Sequence, residues 1–350
     1  MKKTKKIIEI WSSYPPPYGG VSIHSMRLYN ILKYKYNLVF KNFNGILDCP
    51  EDGIYKVQNQ LKEILSYLLR RNKIIHLHSN RLLVWLIMFF YVKSNRLLLT
   101  LHSQNLKKNL PFIKDLVVKM FFRKVDFIII SNQTFADYLI LKYKLNRDKV
   151  VVIPSFIFPL EQESKDLPKE ITSFFNKYNK IVSSFAWKLY CVDNKDVYGI
   201  DHIIKAFSLV KKSYKSVGLI LVIPIIDDKN YFDSILKKIE QYNLSESILI
   251  YNKGIRNGFD IWGKSDVFLR STTTDIEGIS VKEALMLNTS VIATDVVERP
   301  KGVDLYTYGD IEILSELILN KLRFGTPETF KDDISTGIDK IDKIYNILIN

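Results

Sequence analysis

Short apolar runs alternate along the chain with stretches of helical periodicity, and this alternation limits the fold more than any other feature. In the first half the runs predict strands at residues 6–10, 38–40, 74–78, 97–102, 126–131 and 150–153. A second series predicts strands at residues 181–185, 219–223, 248–251, 267–270 and 291–294. Amphipathic helices are predicted between them, for example at residues 21–34 and 58–69. Such alternation favours parallel sheets with helices on both faces, which bind ligands beyond the carboxyl ends of their strands.

The two series are separated by residues 154–180, which contain Pro154, Pro159 and Pro168 among many charges and predict a linker followed by a helix. A chain of 350 residues exceeds the size at which a single core keeps growing. We therefore predict an α/β protein of two Rossmann-like, doubly wound domains that face each other across a cleft. The predicted domains are residues 1–157 and 158–350, and the last helix is free to pack back on the first domain.

Cysteine content and hydropathy argue against two classes of protein. The two cysteines, Cys49 and Cys191, cannot form a disulfide framework, which favours a reducing compartment. The longest apolar run covers residues 82–92, whereas a membrane-spanning helix needs about 20 residues. The apolar run at residues 7–10 is too short for a signal peptide. These features predict a cytoplasmic protein that is soluble or peripheral to the membrane.

Charge is divided unevenly along the chain. Residues 1–160 hold 26 Lys and Arg against 9 Asp and Glu, a net charge of +17, whereas residues 161–350 hold 25 against 28, a net charge of −3. A general abundance of lysine does not account for this asymmetry. A basic half indicates an anionic partner, which is a nucleic acid, a membrane surface or a phosphorylated substrate.

A glycine-containing loop, Tyr-Pro-Pro-Pro-Tyr-Gly-Gly-Val-Ser at residues 14–22, joins the first predicted strand to the first predicted helix. Gly19 and Gly20 allow a ligand to approach the backbone closely, and the helix presents free N–H groups and the positive end of its dipole. These features suit a phosphate or a sugar, although an ordinary glycine-rich turn would have the same composition. The loop lacks the G-x-G-x-x-G spacing, so a nicotinamide cofactor is not predicted.

Histidines occur where two successive strands are predicted to end. His102 follows Thr100 and Leu101, and His76 and His78 close the preceding strand. The strand-end position makes His102 a candidate for the binding cleft, while a histidine satisfied by the backbone is the alternative for all three. No cysteine and no clustered carboxylate lies nearby in the sequence, so no metal site is predicted.

The most informative motif, at residues 270–285, reads Arg-Ser-Thr-Thr-Thr-Asp-Ile-Glu-Gly-Ile-Ser-Val-Lys-Glu-Ala-Leu and joins a predicted strand to a predicted helix. Gly278, Ile279 and Ser280 would offer backbone N–H groups at the helix start, which favours an anion. Asp275 and Glu283, separated by seven residues, are acceptors that bind sugar or ribose hydroxyls. This combination is the chemistry that a sugar nucleotide requires. Helix capping by Asp275 or Ser280, with a solvated Glu283, is the structural alternative.

Residues 258–265, Gly-Phe-Asp-Ile-Trp-Gly-Lys-Ser, match the phosphate-binding G-x-x-x-x-G-K-S pattern. That pattern requires a helix after the Lys-Ser pair, whereas a strand is predicted to follow Lys264. Bulky Phe259, Ile261 and Trp262 would also crowd a loop that must wrap a phosphate. The match therefore argues only weakly for a nucleotide hydrolase.

Residues 112–124 predict a basic amphipathic helix within the basic half. Such a helix can lie on an anionic bilayer, although an apolar stripe more often packs into a core. The predicted apolar face is formed by Ile113, Leu116, Val117 and Met120, and the flanking charges are Lys114, Arg123 and Lys124.

At residues 270–285 the sequence resembles the retaining glycosyltransferases of family 4, which have the GT-B fold. That family carries a Glu, seven residues and a second Glu, then a helix of small residues and a strand. Here Asp275 and Glu283 precede Val-Ile-Ala-Thr-Asp at residues 291–295. Gly-Gly-Val-Ser at 19–22, Thr-Leu-His at 100–102 and Tyr-Gly-Ile-Asp at 198–201 occur in the family's order and extend the resemblance over nearly the whole chain. In particular, the sequence resembles a bacterial surface-polysaccharide subgroup with an Arg-x-Thr…Asp…Ser…Glu-Ala pattern.

The resemblance implies roles for individual residues. The implied catalytic residues are His102, Asp275 and Glu277. The implied donor-binding residues are Gly19, Gly20, Lys188, Arg270, Gly278, Ile279, Ser280, Val281 and Glu283. Glu283 would bind the ribose hydroxyls, Asp275 or the nearby Glu277 would hold the transferred sugar, and His102 would line it. Tyr198 stands where the family usually has a lysine, which leaves Lys188 or Lys195 to neutralise the diphosphate.

The implied activity is transfer of a sugar, with retention and without a metal or bound cofactor, from a UDP- or GDP-sugar to a lipid-linked or oligosaccharide acceptor. The implied process is cell-surface polysaccharide assembly, with the basic domain facing the acceptor or the inner face of the cell membrane. The departing phosphate would take the acceptor's proton, so no protein nucleophile is required. No nucleic acid is expected, since a basic-aromatic recognition motif is missing. The alternatives are a non-catalytic protein that binds a sugar nucleotide or nucleic acid, and an NTPase that uses Lys264 and magnesium.

Overall fold

The computed structural model describes residues 6–16, 18–90, 95–103, 105–107, 109–160, 166–255, 258–275, 277–325 and 337–350. The chain divides into two compact units: unit 1 comprises Met1–Ile157 with Thr336–Asn350, and unit 2 comprises Phe158–Ser335. Each unit contains one large sheet in which every pair of neighbouring strands is parallel. The predicted α/β class is therefore confirmed.

Unit 1 is built on a seven-stranded sheet in the order β3-β2-β1-β4-β5-β6-β7. Its strands are β1 (Ile8–Ser12), β2 (Leu38–Asn42), β3 (Ile54–Lys56), β4 (Ile74–Leu77), β5 (Arg96–Leu101), β6 (Phe127–Ile130) and β7 (Val150–Val152). Its helices, numbered along the whole chain, are α1 (Gly20–Leu32), α2 (Gln60–Ser66), α3 (Leu82–Phe89), α4 (Phe112–Lys124), α5 (Gln133–Tyr143) and α12 (Ile338–Ile349).

The central strands of unit 1, β4 to β6, are largely buried on both faces, so each face is covered by helices. All four residues of β4 are buried, for example. One face packs against α2 to α5, in a cluster that contains Trp85 and Phe121. The other face packs against α1 and α12, in a cluster that contains Leu28 and Tyr345. The C-terminal helix thus belongs to the core of unit 1, where Asp342 also accepts hydrogen bonds from Lys35 and Tyr36.

Unit 2 is built on a six-stranded sheet in the order β12-β11-β8-β13-β14-β15. Its strands are β8 (Lys180–Phe185), β11 (Val217–Val222), β12 (Ile248–Tyr251), β13 (Val267–Arg270), β14 (Ser290–Thr294) and β15 (Val303–Tyr306), and β9 (Cys191–Val192) and β10 (Lys195–Asp196) form a small antiparallel ribbon. Its helices are α6 (Lys169–Lys177), α7 (Ile200–Ser213), α8 (Lys229–Gln241), α9 (Gly258–Gly263), α10 (Ile279–Met286) and α11 (Ile311–Phe324).

Both sheets contain a point at which the strand order reverses. In unit 1, β1 pairs with β2 on one side and with β4 on the other. Strands that precede β4 in the chain therefore add to one side of β1, and β4 and later strands add to the other. In unit 2, β8 pairs in the same way with β11 and β13. Such points open a crevice at the carboxyl ends of the strands, and this is where doubly wound sheets bind their ligands.

The differences between prediction and structure lie mainly at the sheet edges. The predicted strands 248–251 and 267–270 coincide with β12 and β13, and the other predicted strands overlap the observed ones. The strands missed by the prediction are β3, β9, β10 and β15. β3 and β15 lie at the edges of their sheets, where one side is unpaired and a continuous apolar run is unnecessary. In the part of the chain that the structure describes, no helix is long and apolar enough to cross a membrane.

Candidate functional site

The loop between β13 and α10 is held by a buried cluster of three charged side chains, Arg270, Asp275 and Arg299. Oδ2 of Asp275 accepts hydrogen bonds from Arg270 Nε at 3.0 Å and from Arg299 Nη1 at 2.9 Å, and Oδ1 accepts from Arg270 Nη2 at 3.2 Å. The side chain of Arg299 is only 1% exposed, that of Asp275 9% and that of Arg270 12%. We call these residues the Arg–Asp–Arg cluster.

The Arg–Asp–Arg cluster keeps Asp275 ionised. Burial alone would raise the pKa of the Asp275 carboxyl, but the charges and hydrogen bonds of Arg270 and Arg299 outweigh it and hold the pKa well below its usual range. Three charge-assisted bonds already engage both carboxylate oxygens. The geometry therefore favours a role for Asp275 in positioning the loop and its two arginines.

The N-terminus of α10 follows directly on this cluster. The N-cap residue, Gly278, adopts the left-handed conformation with φ +67° and has no side chain to cap the helix. A Cβ at this position would lie 2.7 Å from Arg299 Nη1, so the guanidinium lies against the helix start. The first-turn N–H of Val281 bonds to the Gly278 carbonyl at 2.9 Å. Val281 therefore has a partner within the helix, and Ile279 and Ser280 are the first-turn residues whose N–H groups are directed out of the helix end.

Glu283 lies one turn further along α10 and is 4% exposed. Its Oε2 accepts a hydrogen bond from Trp262 Nε1 at 3.2 Å, a contact between α10 and α9. Residues 258–265, which match the phosphate-loop pattern, lie largely in α9, with Trp262 buried and β13 following as predicted. Trp262 therefore serves as a partner of Glu283, a role that the sequence argument did not foresee.

The other charged candidates in unit 2 are occupied by local partners. Glu277 forms a close ion pair with Lys282, in which both side chains are largely buried. Lys188, in the connection after β8, pairs with Asp227 at 2.8 Å. The guanidinium of Arg270 lies over the ring of Tyr198, 5.2 Å from its centroid. Tyr198 is the residue at the position where the resembled family usually has a lysine, so a cation from β13 lies next to that position.

In unit 1, the glycine loop leads into α1 as predicted. Gly19 is the N-cap residue, with its N–H bonded to Ser22 Oγ at 2.9 Å, and Gly20 is the first helical residue. The φ of Gly19 is −138°, which any residue adopts, and a Cβ added there would meet nothing within 4 Å. Neither backbone strain nor crowding within the described chain requires a glycine at this position. The donor-binding role of Gly19 and Gly20 stays a prediction.

The carboxyl ends of β4 and β5 bring His78 and His102 together, with His78 Nδ1 and His102 Nε2 2.8 Å apart. His24, on α1, completes the group, because one ring nitrogen of each residue lies within 4.8 Å of the others. We call these residues the three-histidine cluster. His76 lies beside it, and both of its ring nitrogens are bonded, to Tyr345 Oη at 2.8 Å and to Thr100 Oγ1 at 2.7 Å.

Burial lowers the pKa of His78 and of His102, and neighbouring histidines lower both further. Both rings are therefore neutral at pH 7. The strand-end position of His102 can be predicted from the sequence, but the contribution of His24, which lies 54 residues before His78, cannot. The only available signal was that α1 is the helix that begins after β1, next to the strand-order reversal.

No protein-family model matches the sequence, and no curated protein matches it. Solved structures do match. A glycosyltransferase from Rickettsia africae is 17% identical with a TM-score of 0.76, and the alignment covers 99% of both chains. HepE from Anabaena, in complex with UDP and glucose, is 14% identical with a TM-score of 0.68 over 99% of this chain and 96% of that one. Sucrose-phosphate synthase from Thermosynechococcus elongatus is 14% identical with a TM-score of 0.66 over 98% and 96%. These likenesses identify the fold: the chain has the GT-B fold, with two units that are each built on a parallel, Rossmann-like sheet.

Proposed function

We propose that this protein is a glycosyltransferase that moves a sugar, with retention, from a UDP- or GDP-sugar to a lipid-linked or oligosaccharide acceptor. The GT-B fold supports the general class, because the structures it matches include a glycosyltransferase and a synthase. HepE, which has also been solved with UDP-glucose, supports a nucleotide-sugar donor. The proposed process is the assembly of a cell-surface polysaccharide, as the sequence resemblance implies.

The observation that carries the proposal is the start of α10. It combines first-turn N–H groups, a helix dipole and the guanidinium of Arg299, whose Nη2 is buried and has no hydrogen-bond partner among the described residues. This arrangement favours a diphosphate, which both the dipole and the cation attract. On the same helix, Glu283 supplies a buried acceptor for the ribose hydroxyls.

In this proposal the diphosphate is held by the backbone of Ile279 and Ser280 and needs no metal to bind it. The Arg–Asp–Arg cluster positions the loop and contributes positive charge as the leaving group departs. The departing phosphate takes the proton of the acceptor hydroxyl, which attacks from the same face of the sugar. Retention then requires no nucleophile from the protein.

Exposed apolar side chains in unit 1 support contact with an anionic membrane. Phe112 and Ile113 at the start of α4 are 82% and 75% exposed, and Leu83 on α3, which packs beside α4, is 64% exposed. Lys114 is exposed in the same turn. The predicted stripe is thus only partly core, since the buried side of α4 consists of Val118, Phe121 and Phe122. Apolar side chains beside lysine are typical of helices that lie on anionic lipid.

The donor site is tested by following thermal unfolding of the purified protein with millimolar UDP, GDP or ATP, with and without magnesium. A ligand at about 100 times its dissociation constant adds about 2.7 kcal/mol to the free energy of unfolding, which is a measurable shift. We expect a shift with UDP or GDP that does not require magnesium. A shift only with ATP and magnesium would favour a nucleotide hydrolase and contradict the proposal.

The role of Glu283 is tested by calorimetric titration of Glu283→Gln with the nucleotide that shifts the wild type. Loss of a buried acceptor costs about 1–3 kcal/mol, so affinity should fall by roughly 5- to 150-fold. The matched control is Glu246→Gln, because this carboxylate is exposed on unit 2 and pairs with Lys177 at the surface. Wild-type affinity in the Glu283 variant would refute the assignment.

Membrane contact is tested by sedimentation with vesicles of phosphatidylglycerol or phosphatidylcholine. The wild type should bind the anionic vesicles more strongly, and a Phe112→Ser, Ile113→Ser double variant should lose most of this binding. Phe324→Ser is the control, since Phe324 is 81% exposed but lies in unit 2. Equal binding to both lipids, or an equal loss in the control, would argue against the assigned surface.

A further inference from the structure

We propose that the three-histidine cluster binds one divalent transition-metal ion, of which Zn²⁺ is the best match, with a fourth coordination position open. One ring nitrogen from each of His24, His78 and His102 lies within 4.8 Å of the others. This inference rests on the geometry of unit 1 and not on the proposed function, although His102 is also the residue that the sequence resemblance places beside the transferred sugar.

The spacing of the ring nitrogens suits a tetrahedral ion. Zinc–nitrogen bonds of about 2.0–2.1 Å place the ligand atoms about 3.3 Å apart. The contact between His78 Nδ1 and His102 Nε2, at 2.8 Å, lies slightly below that separation, and the limit of 4.8 Å for the whole cluster lies above it. Small rotations of the rings are therefore enough to bring three nitrogens around one ion.

The hydrogen bonding of His24 selects the tautomer that a metal requires. Its Nδ1 lies 2.6 Å from the backbone carbonyl oxygen of Ser155, which can only accept. Nδ1 must carry the proton, and the lone pair of the neutral ring is on Nε2. A backbone carbonyl that accepts from the other ring nitrogen is a common means of orienting a metal-binding histidine.

His78 is the residue whose surroundings most need a ligand. Its Nε2 is buried and has no hydrogen-bond partner among the described residues. The other ring nitrogen shares a single proton with His102, so one of these two rings must donate and the other accept. A buried polar atom without a partner is uncommon and costly. Rotation of the His78 ring so that Nε2 faces the ion would give this atom a partner, whereas ligation through Nδ1 would leave it as an N–H without one.

The donor set decides the kind of ion. Three imidazoles without a thiolate or carboxylate in the cluster favour zinc and its neighbours in the first transition series over magnesium or calcium, which prefer oxygen. His76 is not a ligand, because Tyr345 and Thr100 engage both of its nitrogens. Three protein ligands leave a fourth position for water or a hydroxyl.

The test begins with the full chain, freed of metal by a chelator and titrated calorimetrically with Zn²⁺. We expect one zinc per chain, and X-ray absorption at the zinc edge should show three imidazole nitrogens at about 2.0–2.1 Å with one further light atom. Absence of zinc binding, or a first shell that contains sulfur, would overturn the proposal.

Variants then identify the ligands. His24→Gln, His78→Gln and His102→Gln should each weaken zinc binding by more than about 100-fold, because loss of an outer partner alone costs about 10- to 100-fold. His202→Gln is the matched control, since this fifth histidine lies in unit 2. Far-UV circular dichroism identifies any variant that does not fold. If a variant does not fold, the number of imidazole ligands in the X-ray absorption spectrum of the wild type tests the assignment instead. Zinc binding that the folded variants retain at wild-type strength would refute the assignment.

Discussion

The Arg–Asp–Arg cluster should be one of the most sensitive charged groups in unit 2, and Asp275→Asn is the substitution that tests it. Two of the three hydrogen bonds reach Oδ2 and one reaches Oδ1, while an asparagine has one acceptor oxygen and an amide that repels guanidinium N–H groups. At least one charge-assisted bond is lost, and two buried arginines lose their counter-charge. Breaking such a buried pair costs about 3–5 kcal/mol.

The loss is measured as the change in the free energy of unfolding, by urea denaturation or calorimetry, at neutral pH. The control is Glu246→Gln, because Glu246 pairs with Lys177 at the surface with its side chain 89% exposed. Exposed pairs contribute little, so the control should remain close to the wild type. If Asp275→Asn were no more destabilising than this control, the cluster would not be the buried electrostatic unit that its geometry indicates.

The pH dependence gives a second check on the same residue. Because the folded pKa of Asp275 lies well below that of the unfolded chain, about 3.9, the folded state binds fewer protons there. Its contribution is therefore complete above that value and is lost as the pH falls through the folded pKa. The difference in stability between wild type and Asp275→Asn should be constant above about pH 5 and shrink in stronger acid.

Two further substitutions test how the units are built. Gly199→Ala should destabilise unit 2 by more than about 2 kcal/mol, because φ is +60° and the new Cβ would lie 2.4 Å from the Ser271 carbonyl oxygen. Gly19→Ala is the control and should change stability little, because φ is ordinary there and a Cβ would meet nothing within 4 Å. Tyr345→Phe should cost about 1–3 kcal/mol in thermal or urea unfolding, since it leaves Nδ1 of the buried His76 without its partner. A neutral result for Gly199→Ala or Tyr345→Phe would contradict the packing described for that position.

The sequence predicted the sheets well because central parallel strands are buried on both faces and appear as apolar runs. β4 and β6 are clear cases, and the edge strands β3 and β15 were missed because they are half exposed. The positions of the site loops follow from the same pattern, since every carboxyl strand end meets at one edge of the sheet. Periodicity therefore located the β13–α10 loop and the ends of β4 and β5.

The partners within those loops were beyond the sequence. Arg299 lies 24 residues after Asp275, and in the sequence Trp262 stands out only as a bulky residue within a phosphate-loop pattern. His24 lies on α1, and the direction of its side chain depends on how α1 packs against β1. For Arg299 a usable signal existed, because it follows the end of β14, the strand that neighbours β13. For Trp262 and His24, side-chain direction decides the contact, and spacing does not encode it.

The surroundings of the three acids in unit 2 also bear on which of them serves the donor. Asp275 is engaged by two guanidinium groups and Glu277 by the ammonium of Lys282, and charge-assisted bonds of this kind are stronger than a bond to a sugar hydroxyl. A hydroxyl would have to compete with those cations. Glu283 instead accepts from the neutral indole N–H of Trp262, which a hydroxyl can match. Within the proposed function, we therefore assign the donor's hydroxyls to Glu283, and the loop at the start of α10 to Asp275 and Glu277.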